Sequence, residues 1–345
     1  MKRWVAAGMS LALSVLSAVL LMPNAARAAP GDLQAVIADG DGTVLHGMRG
    51  RDRRWTPFAA PAPWGANRAH RDMATVTIGG ELQVVTINHA GRAFHGIRRA
   101  NGTWSAPLTD VKDAVPRGND AGTLHRVAVA HANGELHLAV LGSTGLYHAV
   151  RHANGTWSAF TDVKRTTAGD PGYVTDVTIA GDGPDLHLAV STIDNGLFHA
   201  RRLEAARWTR FEDVQRRTGN PKDHQFQQLS GSVAAGRFHL LARSGTQGLR
   251  YTARRADGGW EQMISLPTVA GTIPGGQWGY LSIATAETGG TLHVAAVLAS
   301  LPLGSADAMY HAVCAPADRC GSRASWPVPF TRVPAGRRPV LAAIG

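Results

Sequence analysis

One short pattern returns six times along this 345-residue chain, about every fifty residues, and limits its possible folds more than any other feature. The copies contain Leu45-His46, Phe94-His95, Tyr147-His148, Phe198-His199, Arg250-Tyr251 and Tyr310-His311, each followed by a Trp: 55, 104, 157, 208, 260 and 326. The Trp spacings are 49, 53, 51, 52 and 66, the last lengthened by insertions at Leu301–Ala308 and around the Cys loop. Two strand-like segments precede each pair. One is a short alternation such as Val76-Thr-Ile78, Val127-Ala-Val129 or Val177-Thr-Ile179. The next opens as Leu33-Gln34, Leu82-Gln83, Leu136-His137, Leu186-His187, Phe238-His239 or Leu292-His293. Asn101-Gly102, Asn154-Gly155 and Asp257-Gly258 sit between the third and fourth segments, the strongest short hairpin signal. Four antiparallel strands per ~50 residues describe a propeller blade.

The first unit starts at Leu33 and lacks its first strand, whereas Val340-Leu341-Ala342-Ala343-Ile344 has the form of that strand. The expected fold is therefore all-β: a six-bladed β-propeller of four-stranded antiparallel blades, its ring closed by the C-terminal strand. Seven blades stay the alternative count. An open solenoid would want capping repeats and leave the last strand unpaired. Forty Gly and 18 Pro agree with a turn-rich β chain.

Lys2 and Arg3, an apolar run from Val5 to Met22, and Ala26-Arg27-Ala28 describe a secretory signal over residues 1–28. A single propeller domain over 29–345 is expected to be exported and extracellular. No later apolar stretch is long enough for a membrane span. Cys314 and Cys320 then read as a disulfide closing a small loop. Net charge is +10, and removal of the signal leaves 32 cations against 25 anions, or +7. The charge is spread along the chain instead of gathering into runs, so nucleic acid is not the expected partner.

The six repeated Trp read as packing between blades. Nine His fall into two columns, His46, His95, His148, His199 and His311, and His137, His187, His239 and His293. One per strand, they do not converge on a point, so no metal site is expected. Hydrogen bonds to backbone or to the column Asp110, Asp162 and Asp213 account for them. No G-x-S-x-G elbow, P-loop, dinucleotide fingerprint or H-E-x-x-H occurs, and no cofactor is expected. The Asn101-Gly-Thr and Asn154-Gly-Thr sequons coincide with the turns themselves.

The blade-to-blade connections are long, and long loops on a rigid scaffold carry function. Trp64 and Trp278 fall in them outside the repeat, with Asn67, Arg68, His70, Asp72 and Tyr280 nearby. Aromatic faces beside planar hydrogen-bonding groups suit a sugar ring. Equally, each Trp can plug the seam beneath its loop.

The unit from Gly134 through Tyr147-His148 to Trp157-Ser158-Ala159-Phe160 resembles the repeat of the PLL-like bacterial fucose-binding propeller lectins. More distantly it resembles tectonin and fungal fucose-lectin propellers. The resemblance implies a non-enzymatic lectin whose partners are glycans or glycoconjugates, fucosylated ones among them. Two positions depart from that family. Leu45, Phe94, Tyr147, Phe198, Arg250 and Tyr310 stand where it has Trp, and His or Gln replaces an acidic residue on the second strand. The alternatives are a polysaccharide hydrolase or lyase drawing a carboxylate pair from Asp72, Asp120, Asp170, Asp176 and Asp223, or a protein-interaction platform.

Overall fold

The computed structural model describes residues 32–344 except 40–41, 65–68, 221–224, 246–247, 272–279, 299–307 and 334–338. The expected signal lies outside the described residues. The chain is an all-β propeller with four-stranded antiparallel blades. Its first sheet has three strands, Leu33–Asp39, Val44–Arg49 and Pro339–Ile344, with Leu33–Asp39 in the middle. The second runs His70–Ile78, Glu81–Asn88, Ala93–Arg98 and Thr109–Asp110, and the third Leu124–Ala132, Glu135–Gly142, Gly145–Arg151 and Thr161–Asp162. The fourth is built from Val174–Asp182, Asp185–Thr192, Leu197–Arg202 and Glu212–Asp213. The fifth uses Phe226–Ala234, Arg237–Ser244, Gly248–Arg254 and Ile264–Ser265, and the sixth Tyr280–Thr288, Thr291–Leu298, Ala308–Cys314 and Val328–Val333.

Pro339–Ile344 pairs antiparallel with Leu33–Asp39, with Ala35 opposite Ile344 and Ala38 opposite Leu341. On the other edge of this sheet, Trp55 and Ala59 form isolated bridges to Arg49 and His46, where the other sheets have a fourth strand. The Asn-Gly turns behave as their chemistry requires. Gly102 and Gly155 both take φ +89°, a conformation that L side chains avoid. Asn101 Oδ1 accepts from the Thr103 N–H and hydroxyl, and Asn154 does the same with Thr156.

The core lies between sheets. Trp104 of the second sheet meets His46 of the first edge-on, with ring centroids 5.6 Å apart. The contact recurs as Trp157 on His95, Trp208 on His148 and Trp260 on His199. It also joins the ends of the chain, because Trp55 of the first sheet meets His311 of the sixth at 5.7 Å. The Trp column is therefore packing, as its period implies.

The His columns are satisfied by each other more than by the Asp column. His137 and His148 share a hydrogen bond of 3.1 Å, His187 and His199 one of 2.9 Å, and His293 and His311 one of 3.1 Å. Gln34 and Gln83 accept from His46 and His95. In the fifth sheet the Tyr251 hydroxyl bonds to His239, whose Nε2 donates to the Ala234 carbonyl. The expected partners Asp110, Asp162 and Asp213 instead cap short helices through the backbone N–H groups of Lys112, Arg165 and Arg216. Two carboxylates from outside that column do reach the His columns, Glu212 at His199 and Asp182 at His187.

Burial lowers the His column's pKa values, to about 3 at His46 and His95 and about 4 at His137, His199, His239 and His293. His148 and His311 also lie well below the ordinary range for the same reason. An Arg from the following sheet adds repulsion at five seams: Arg98 on His46, Arg151 on His95, Arg202 on His148, Arg254 on His199 and Arg49 on His311. Among the described residues, no group of His, Cys, Asp or Glu is placed to hold a metal ion. No described helix is long and apolar enough to cross a membrane. Cys314 and Cys320 form a disulfide with Cα atoms 5.7 Å apart.

Candidate functional site

The first candidate region fell on the connection between the first and second sheets. Trp64 ends a short 3-10 turn, Ala62–Trp64, and is 1% exposed among Val36, Ala38, Val44, Met73, Leu82 and Val84. Its ring meets those of His70 and Trp104 edge-on at 6.0 and 6.1 Å, and a Cβ at Gly96 would come within 2.8 Å of it. Trp64 thus fills the seam, and no face of it is open to a sugar. His70, 4% exposed, is covered with it. Asn67, Arg68 and Trp278 lie outside the described residues. Tyr280 begins an inner strand, and its side chain lies outside the described residues too.

Asp72 lies away from any loop. It stands at a bulge, and the same bulge recurs on every inner strand from the second sheet to the sixth, at Asp72, Arg126, Asp176, Gln228 and Ser282. Bulging re-aims one side chain per blade and links neighbouring inner strands. The Val127 N–H donates to Asp72, the Leu229 N–H to Asp176, and the Ile283 N–H to Gln228, at 2.6–3.0 Å. Arg126 Nε lies 2.8 Å from Asp176. Burial pushes Asp72 up to about 6 and Asp176 to about 7, although Arg126 pulls both down. Asp72 and Asp176 line a cavity of about 80 Å³ shared by five inner strands. That is far below the ~300 Å³ of an ordinary small-molecule site.

An open cavity of about 420 Å³ lies instead where the third sheet meets the connection into the fourth. The short helix Val163–Thr166 begins this connection, capped by Asp162. Lys164 on that helix donates to the Gly172 carbonyl at 2.9 Å and pairs with Asp170 at 2.8 Å. The loop is thereby pinned just before Tyr173, which is 70% exposed. Tyr173 and Ile193 are the exposed large hydrophobic residues of the described chain, and the Ile193 N–H donates to the Tyr173 carbonyl. Asp162, Arg165, Thr144 and His125 line the same cavity. His125 Nδ1 is shielded from solvent without a hydrogen-bond partner among the described residues, and burial lowers its pKa.

Sequence reasoning passed over Tyr173 because it sought Trp. The available signal was that Tyr173 is an aromatic residue in a long connection and outside the repeat. Of the hydrolase acids, Asp170 is exposed on this rim, Asp120 sits in the 3-10 turn Gly118–Ala121, and Asp223 lies outside the described residues.

Solved structures share this architecture. An arginine-substituted form of AofleA from Arthrobotrys oligospora matches with a TM-score of 0.61 and 12% identity over 92% of this chain and 87% of that one. The fucose-specific lectin from Aleuria aurantia matches with a TM-score of 0.56 and 13% identity, covering 90% and 94%. The BP39L lectin from Burkholderia pseudomallei gives 0.56 and 14%, covering 88% and 81%. The propeller fold is what they share. The Aleuria aurantia lectin is described as a six-bladed propeller with fucose recognition. No protein-family model and no curated protein sequence matches the chain.

Proposed function

We propose that this chain is a secreted, non-enzymatic carbohydrate-binding propeller. In this reading the three-stranded sheet is a sixth blade, and Pro339–Ile344 closes the ring as its inner strand. Residues 1–28 are the export signal. Tyr173 carries the functional reading: a mostly exposed aromatic side chain on a cavity of mixed polar and apolar lining, large enough for a sugar. A pyranose C–H face stacks on such a ring, while Asp162, Arg165 and Thr144 supply acceptors and donors for its hydroxyls. Solved lectins with the same fold, two of them in complex with α-methyl fucoside, support a glycan ligand and make fucosylated glycans the first class to test. Trp278 and Tyr280, with Asn67 and Arg68, stay candidate sugar contacts in this reading, and Trp278→Ala tests them.

Hydrolysis would need two carboxyl groups flanking an open subsite. Asp72 and Asp176 instead spend oxygens on inner-strand N–H groups and Arg126 around a cavity too small for a sugar ring. Asp162 and Asp170 do line the open cavity, but Asp162 accepts the Arg165 N–H, and Asp170 pairs with Lys164, which holds its pKa down, and accepts the Gly172 N–H. Both serve the connection, and this weighs for binding over catalysis. A glycan array probed with the folded mature chain tests the proposal. Selective, repeatable spots are expected, and a blank array from cooperatively melting protein would refute it.

A further inference from the structure

Beside the Tyr173 cavity, and sharing Asp170 with it, lies a second cavity of about 610 Å³. Arg210, Arg216 and Arg217 line it, with Asp170, Glu212 and Asp213. The carboxylates are already engaged from within the protein. Glu212 is partly buried, which pushes its pKa up. Hydrogen bonds from His199 and Trp260 and the charge of Arg254 outweigh this and hold it at about 2. Arg217 stands 3.7 Å from the same carboxylate. Asp170 accepts from the Gly172 N–H and pairs with Lys164, and Asp213 accepts the Arg216 N–H.

Arg210 and Arg216 are exposed and have no ion pair among the described residues. A Cβ on Gly169 would lie 3.2 Å from Cγ and Nε of Arg210, so the arginine stem rests on the glycine at the cavity wall. Three arginines and three carboxylates line the cavity. Lys164 and Arg254, from outside the lining, already pair with Asp170 and Glu212, which leaves the exposed guanidinium groups of Arg210 and Arg216 to meet an anion.

We propose that this second cavity receives a carboxylate or sulfate of an acidic polysaccharide, bound by Arg210 and Arg216 while a neighbouring sugar lies on Tyr173. This rests on the carbohydrate reading and narrows it to an acidic glycan. A planar guanidinium matches both anions in bidentate fashion. A nucleic acid would follow cationic runs that this chain lacks, which favours a polysaccharide.

The test is titration of the mature protein with a heparin oligosaccharide, an oligogalacturonate and a neutral dextran oligosaccharide, at about 50 and about 300 mM salt. One acidic oligosaccharide is expected to bind at least about tenfold tighter than dextran, with the advantage shrinking at high salt. Preference for heparin assigns the anion as sulfate, and preference for oligogalacturonate assigns it as carboxylate. The variant R210A/R216A, matched to wild type in melting temperature, should lose that advantage. R51A/R54A, which removes two exposed charges elsewhere, should keep it. The proposal is overturned if acidic and neutral sugars bind alike, or if R51A/R54A loses as much as R210A/R216A. Equally tight binding of a DNA duplex, lost in the same variant, would overturn it as well. Binding of neutral glycans with no acidic preference would defeat this proposal alone. A protein that binds no glycan, neutral or acidic, defeats the carbohydrate reading with it.

Discussion

A histidine kept neutral under a tryptophan edge is the unit from which the seams are built. Its energetics set the pH response. The unfolded chain protonates these His near the ordinary value of ~6.5, while burial holds the folded values at about 3 to 4. Between those limits the unfolded state binds more protons, so their contribution is complete above pH ~6.5 and is lost as pH falls toward 4. Asp72 and Asp176 act oppositely. Raised to about 6 and about 7, they hold protons that the unfolded chain has released above pH ~4, so their contribution falls as pH rises. The His outnumber them. The melting temperature should therefore fall steadily from pH 7 to pH 4.5, and a maximum near pH 5 would contradict the seam chemistry. Trp157, buried against His95, should cost ~3–5 kcal/mol as Trp157→Ala in urea denaturation. Its packing role was legible because a fixed period marked it. Tyr173 carried no such mark, being a single aromatic in an irregular connection.

Short helices after the outer strands fix the connections, and lysine does the pinning. Lys112 reaches the Gly122 carbonyl at 2.8 Å just as Lys164 reaches Gly172. The chain has four Lys against 31 Arg, and two of the four occupy this one position. A compact ammonium fits where a guanidinium fork would be too wide. Lys164→Met should release the loop that presents Tyr173, weakening glycan binding by about 1 kcal/mol, or about fivefold in Kd. The melting temperature should barely move, and unchanged affinity would show that the pin is idle. The strands and turns of this element were readable from Asn-Gly pairs and alternation. The axial column was not, because Asp72, Arg126, Asp176, Gln228 and Ser282 share a place in the fold but no chemistry. A one-residue bulge also shifts their register from the strand pattern.

At the scale of the whole molecule, the ends of the chain meet twice, in the pairing of Pro339–Ile344 with Leu33–Asp39 and in the contact of Trp55 with His311. Deleting residues 339–345 removes the strand paired with Ala35–Asp39 and leaves that edge open, which invites aggregation. The lost ladder bonds are worth ~0.5–1.5 kcal/mol each against a total stability of ~5–15 kcal/mol. A chain ending at Arg338 should aggregate or lose its cooperative melt. A soluble, cooperatively melting truncation would mean that the ring is not closed by this strand. In the proposed reading closure matters for function, because the cavity beside Tyr173 lies between the third sheet and the next connection and keeps its shape only while the seams hold. The most direct test of the proposed function is calorimetric titration of an array-positive glycan into wild type and Tyr173→Ala at equal melting temperature. The expected result is saturable binding by wild type and a loss of ~2 kcal/mol or more in the variant, or about thirtyfold in Kd. Saturable binding undiminished by Tyr173→Ala would contradict it.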